Sequence, residues 1–166
     1  MYNYIFEVRE NPIPVEEWTC AESIDGNHPF RAQTDFVEDV LSGDRNTTID
    51  VFLQSLYEKC GWRMKYSASE DDRWFCFDEG FNFAYFGKQY NQFVSAQTKL
   101  SHITSFENFV NGSVRSVIEA LGTAFNTMYD DCVMMDGENI NTLDEFIRKA
   151  RAGQKYYIGG VMTYYW

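Results

Sequence analysis

The sequence predicts an α+β fold: a mostly antiparallel sheet of about five strands with helices packed against it, formed by residues 1–166 as a single domain. Three observations predict it. Two-residue alternation of apolar side chains marks Tyr2–Arg9, Trp62–Phe86 and Lys155–Trp166, while a helical period marks Ile49–Cys60 and Val114–Asp130. The strand-like runs do not alternate strictly with the helical ones, which argues against a doubly wound parallel sheet. The 166 residues are 45% hydrophobic and 17% aromatic, enough for a core built largely from rings.

Tyr2–Arg9 places Tyr2, Tyr4, Phe6 and Val8 on one face and Asn3, Glu7 and Arg9 on the other, a half-buried strand with Ile5 as the exception. Asn11-Pro12-Ile13-Pro14 ends it, because proline removes a ladder donor. Val15–Arg31 is irregular, with a short helical turn at Glu16–Ala21. Thr34 is placed to cap a short helix over Asp35–Leu41, ended by Ser42-Gly43-Asp44. The stripe Ile49, Phe52, Leu53, Leu56, Tyr57 and Cys60 defines a second helix, with Thr47 and Asp50 resembling a capping box and Gly61 closing it.

Trp62–Phe86 reads as three consecutive strands at the centre of the sheet. The first carries Trp62, Met64, Tyr66 and Ala68 on one face. The second sets Trp74 and Cys76 against Phe75 and Phe77, and the third aligns Phe81, Phe83 and Tyr85. Three adjacent carboxylates, Glu70-Asp71-Asp72, require a solvated turn. Helical spacing follows at Tyr90, Phe93, Val94, Gln97 and Leu100, then a helical turn over Ser105–Val110 that buries Phe106, Phe109 and Val110. Ser113 caps the longest helix, Val114–Asp130, where Gly122 suggests close approach of a neighbour. Val133-Met134-Met135 is a short strand before the turn Asp136-Gly137. Thr142 and Glu145 form a capping box, and Gly153 fits the end of that helix. Paired glycines in the last strand, Gly159-Gly160, signal a bulge or close backbone packing.

With 25 acidic and 14 basic side chains the net charge is −11. A basic nucleic-acid footprint is absent, and association with an anionic membrane is disfavoured by sign. No signal peptide and no run of about 18 apolar residues is evident, so the expected location is the cytoplasm. The four cysteines, Cys20, Cys60, Cys76 and Cys132, have no paired spacing, and only His28 and His102 are available as imidazoles. No metal or cofactor site is signalled. Asp130–Glu138 fails the EF-hand pattern, and Asp78-Glu79 offers carboxylates that any acidic protein would.

Glu10–Asp50 holds ten acids against two bases, the most lopsided stretch of the chain. Together with the ring-rich C-terminus it suggests a binding surface made of Asp35, Glu38 and Asp39 with Tyr164, Tyr165 and Trp166. The expected function is a non-catalytic acidic module that binds a basic protein, in the manner of an inhibitor, an immunity-type protein or an antirestriction-like DNA mimic. The alternative is a small enzyme using carboxylates or a Cys–His pair, such as Cys76 or Cys132 with His102.

Overall fold

The longest strand of the sheet is the last in the chain. The computed structural model describes residues 3–24, 36–69, 72–112, 114–125, 132–137 and 139–165. Its strands are β1 (Asn3–Arg9), β2 (Phe36–Asp39), β3 (Met64–Ser69), β4 (Asp72–Phe77), β5 (Val133–Asp136), β6 (Asn139–Thr142) and β7 (Lys155–Tyr165). They form one sheet in the order β3-β4-β7-β1-β5-β6, with β2 also paired to β7. Every ladder is antiparallel except β1 with β5. The helices are α1 (Ser42–Cys60), α2 (Phe81–Ser101), α3 (Phe106–Asn111), α4 (Val114–Phe125) and α5 (Leu143–Lys149). The α+β expectation holds, with seven strands in place of about five.

β7 is eleven residues long and pairs along one side with β1. Its other side is shared: β4 takes Lys155–Tyr157 and β2 takes Met162–Tyr165. The β1 ladder steps two residues between Phe6 and Val8 while β7 steps three between Val161 and Ile158. The extra residue is a bulge at Gly159-Gly160, and it inverts the side-chain alternation of β7. Tyr156, Ile158 and Val161 therefore face one core, Met162 and Tyr164 the other.

The first core lies under the helices, where Phe6 stacks on Phe52 of α1 at 4.2 Å and Phe77 on Phe81 of α2 at 4.4 Å. The second core contains Ile5, Val133, Met135, Met162 and Tyr164. Among the described residues no helix covers it. Its cover is the N-terminal strap between β1 and β2, through Ile24 and Ala21. The strap holds two 3-10 turns, Val15–Glu17 and Ala21–Ser23, where a helical turn at Glu16–Ala21 was expected.

Several other expectations are corrected. Trp62–Phe86 is not the sheet centre: β3 and β4 form one flank, and the third expected strand is the start of α2. Phe81 and Tyr85 alternate as strand residues do, but they also stand at i and i+4, and that helical pair is what α2 buries. Trp62 sits in a 3-10 turn with its ring exposed under Arg63. Of the expected Glu70-Asp71-Asp72 turn, Asp72 opens β4 opposite Ser69, and the other two residues lie outside the described residues. The helix expected at Asp35–Leu41 is strand β2, because pairing with the free C-terminal half of β7 overrides local helix signals.

Ser42-Gly43-Asp44 begins α1 instead of ending a helix, so Thr47 and Asp50 are interior and form no capping box. Gly61 closes α1 as expected, at φ 59°. Tyr57, placed in the buried stripe, is exposed. Among the described residues the longest helix is α2, not α4; Ser113 and residues 126–130 of the expected helix lie outside them. A Cβ added at Gly122 would meet nothing within 4 Å, so no neighbour approaches there. Phe106, Phe109 and Val110 of α3 are exposed, not buried, although Ser105 caps that helix through Asn108 N–H at 3.1 Å. α5 carries the expected Thr142–Glu145 capping box, but its C-cap is Ala150 and Gly153 lies in the turn beyond. Strand β6, joined to β5 by the turn at Gly137, was not expected.

Candidate functional site

Glu7 is the residue the sequence places wrongly and the structure uses most. Alternation puts it on an open face, yet β1 is covered on both sides and Glu7 is 0% exposed. Its carboxylate accepts four hydrogen bonds. Oε1 takes Arg9 Nη2 at 2.7 Å and Thr19 Oγ1 at 2.8 Å, and Oε2 takes the backbone N–H groups of Thr19 and Gly160, each at 2.8 Å. A buried carboxylate is tolerated when its lone pairs are filled in this way. The site holds the strap onto the sheet at the β7 bulge. Both glycines are required by that approach. A Cβ at Gly159 would lie 2.5 Å from Glu7 Oε2 and 2.8 Å from Ile13 Cδ1, and one at Gly160 would collide with the Thr19 carbonyl.

The opposite side of the bulge faces the gap on β7 between β4 and β2. Arg45 of α1 fills it: Nε and Nη2 donate to Gly159 O, and Nη2 also donates to Ile158 O at 3.2 Å. These carbonyls would otherwise lack a strand partner. Trp18 of the strap lies over the guanidinium, 3.7 Å from Cζ to ring centroid, and its own N–H donates to Ile13 O at 3.1 Å. Burial and the neighbouring Arg73 guanidinium push Arg45 down to about 10, opposed by Glu7. Arg45 therefore remains charged at neutral pH. With every Glu7 acceptor engaged, this cluster is a clamp between strap and sheet.

Outside the clamp the strap is acidic. Glu16, Glu17, Glu22 and Glu38 are exposed and form no ion pair among the described residues. The 3-10 turn bearing Glu22 abuts β2, which bears Glu38, and Asp39 Oδ1 accepts the Ala21 backbone N–H at 2.7 Å. Glu38 thus stands on the surface as expected, whereas Asp39 is committed to docking the strap. Asp35 and Trp166 lie outside the described residues, and for Tyr165 only the backbone, in β7, is described. Tyr164 is 1% exposed in the second core, so it cannot contribute to a binding surface: the bulge sets it on the face that the strap covers, and the opposite face of β7 is the helix-covered core.

The histidine-based alternative finds no constellation among the described residues. His102 is exposed at the end of α2, and the surface hollow it lines with Lys99, Ile103, Asn108 and Asn111 contains no cysteine and no carboxylate. Cys132 is buried in the first core and Cys76 is half-buried on β4. Burial pushes the Cys60 thiol up to about 12, the behaviour of a small core residue. His28 and Asp130 lie outside the described residues. Among the described residues no three His, Cys, Asp or Glu side chains converge on a metal position, and no helix is long and apolar enough to cross a membrane.

Sequence reasoning missed Glu7, Thr19 and Arg45. The signal was present in part, as a lone acid inside the apolar run Ile5-Phe6-Glu7-Val8 and a paired glycine in the last strand. What was invisible is that the bulge and the acid meet. The chain matches no protein-family model, no curated protein and no solved structure.

Proposed function

We propose that the chain is a non-catalytic protein-binding module that takes a basic partner on its acidic strap and the adjoining strand β2. One observation carries this reading: four exposed carboxylates, Glu16, Glu17, Glu22 and Glu38, lack ion pairs among the described residues and sit on a segment anchored by Glu7 and Asp39. Anchoring matters because a preorganised charged surface loses less entropy when it docks. The partner class, acting through a cationic groove or patch, is that of a target for an inhibitor, immunity-type protein or DNA mimic.

The test is capture from the native host's lysate at low and at high salt, with the protein compared against a variant carrying Glu16→Gln, Glu17→Gln, Glu22→Gln and Glu38→Gln. A basic protein held at low salt, released at high salt and lost by the variant supports the reading. Equal capture by both forms, or no salt-sensitive basic partner, overturns it.

A further inference from the structure

Helix α2 has two apolar faces. Phe81, Tyr85 and Ala96 are buried on one. Phe83, Tyr90 and Val94, spaced i, i+7 and i+11, lie diametrically opposite and are 81%, 63% and 38% exposed. Phe93 flanks this ridge at 50% exposure. Beside the ridge, on its other flank, runs a shallow groove whose floor is Ala84, Gly87, Asn91 and Ser95. Gly87 lies in the helix interior, where glycine costs about 1 kcal/mol against alanine, and a Cβ there would meet nothing within 4 Å. No contact within the described chain requires it.

We infer that this face of α2 is a two-fold contact between copies of this chain, with the Phe83–Tyr90–Val94 ridge of each copy seated in the Gly87 groove of the other. Three arguments select a second copy as the occupant. A ridge beside a groove on one helix is self-complementary under two-fold rotation, as an isologous interface requires. Charge points the same way. Residues 81–125 hold two acids and three bases, while the remaining residues hold 23 acids and 11 bases. Two copies repel on most approaches, and this near-neutral region is where they meet without repulsion. A strongly basic partner, by contrast, is drawn to the acidic remainder. The area is that of a weak, concentration-dependent dimer, below the size of a standard interface. Phe83, Tyr90 and Phe93 together expose on the order of 400 Å² of ring surface, about half of what each partner buries in a standard interface.

The inference is tested by sedimentation velocity on the full chain over a concentration series at low and high salt, beside Tyr90→Glu and Gly87→Leu. The expected result is a monomer–dimer equilibrium that tightens with salt, because screening relieves the repulsion between acidic bodies. Both variants should raise the dimer Kd roughly tenfold or more, with the thermal midpoint unchanged or, for Gly87→Leu, raised. The salt response has the opposite sign to that of a basic partner on the strap, so the two surfaces succeed or fail separately. A monomer at all concentrations overturns the inference. So does a dimer that neither variant weakens, or one that high salt dissociates.

Discussion

Phe75 and Phe83 look alike in the sequence, each an aromatic in an apolar-alternating run, and the structure treats them oppositely. Phe75 is 0% exposed between Phe52, Phe77, Phe146 and Tyr156, and Phe83 is 81% exposed. The same contrast separates the whole sheet from the α2–α4 region. The sheet buries one face under α1, α2 and α5 and the centre of the other under the strap, and its buried Glu7 is satisfied in place. The α2–α4 region carries few charges and leaves Phe83, Tyr90, Phe106, Phe109 and Ile118 exposed. A ring therefore contributes to stability here only where a second layer meets it, and exposed rings in a charge-poor surface mark where something else does.

The largest expected effect lies in the sheet. Phe75→Ala should cost about 3–5 kcal/mol in a urea titration, whereas Phe83→Ala should stay within about 0.5 kcal/mol. A loss above about 2 kcal/mol for Phe83→Ala, at a concentration where the parent is monomeric, would show that its face is covered within the monomer and would erase the contrast. Slightly smaller is the clamp. Glu7→Ala leaves Arg9, both Thr19 donors and Gly160 N–H without their acceptor, and should cost about 3 kcal/mol. Limited proteolysis should then cut the strap near Thr19 well below the midpoint of global unfolding. Cleavage unchanged from the parent protein would mean the strap is held without Glu7, by Ile24, Trp18 and the Asp39–Ala21 hydrogen bond.

The glycines sharpen the comparison by sign. Gly160→Ala drives a methyl into the Thr19 carbonyl and should destabilise by about 2 kcal/mol or more. Gly87→Ala adds the same methyl to open space in a helix and should stabilise by about 0.5–1 kcal/mol, read from the shift of the urea midpoint at constant slope. Equal effects at the two positions would contradict the packing described for both.

What could be read in advance followed from local rules. The α1 stripe from Ile49 to Cys60, the Thr142–Glu145 cap and the strand at Val133–Met135 each depend on neighbours within a few residues. The errors came where distant chain decided. Phe36–Asp39 is a strand because β7 offers an edge, and Glu7 is buried because the strap crosses it. Phe81–Tyr85 satisfied both periods, so alternation alone could not choose. The same holds for the site: Glu38 is exposed although it stands on a strand and not on the expected helix, whereas Tyr164 is buried because both faces of β7 are covered, one by the helices and the other by the strap.

The smallest effect is electrostatic and belongs to α5. The Glu145 side chain accepts the Thr142 backbone N–H at 3.0 Å, and Thr142 Oγ1 accepts the Glu145 N–H at 3.2 Å. The bond from the Thr142 backbone, then that from its side chain and the nearby Lys149 and Arg148, hold the Glu145 carboxyl below its usual value of 4.5. A folded value below the unfolded one means that the unfolded chain binds more protons in the window between them. The contribution is therefore complete above about pH 4.5 and is lost as the pH falls through the folded value. Glutamine keeps the hydrogen bond of a capping box but not the charge, so Glu145→Gln should melt slightly below the parent at pH 6. Below pH 4.5 the parent should fall faster, and the two curves should converge. Parallel curves from pH 6 to pH 3 would show that the cap acts through hydrogen bonding alone. Thr142→Ala, which removes the cap itself, should cost about 1 kcal/mol at any pH in that range.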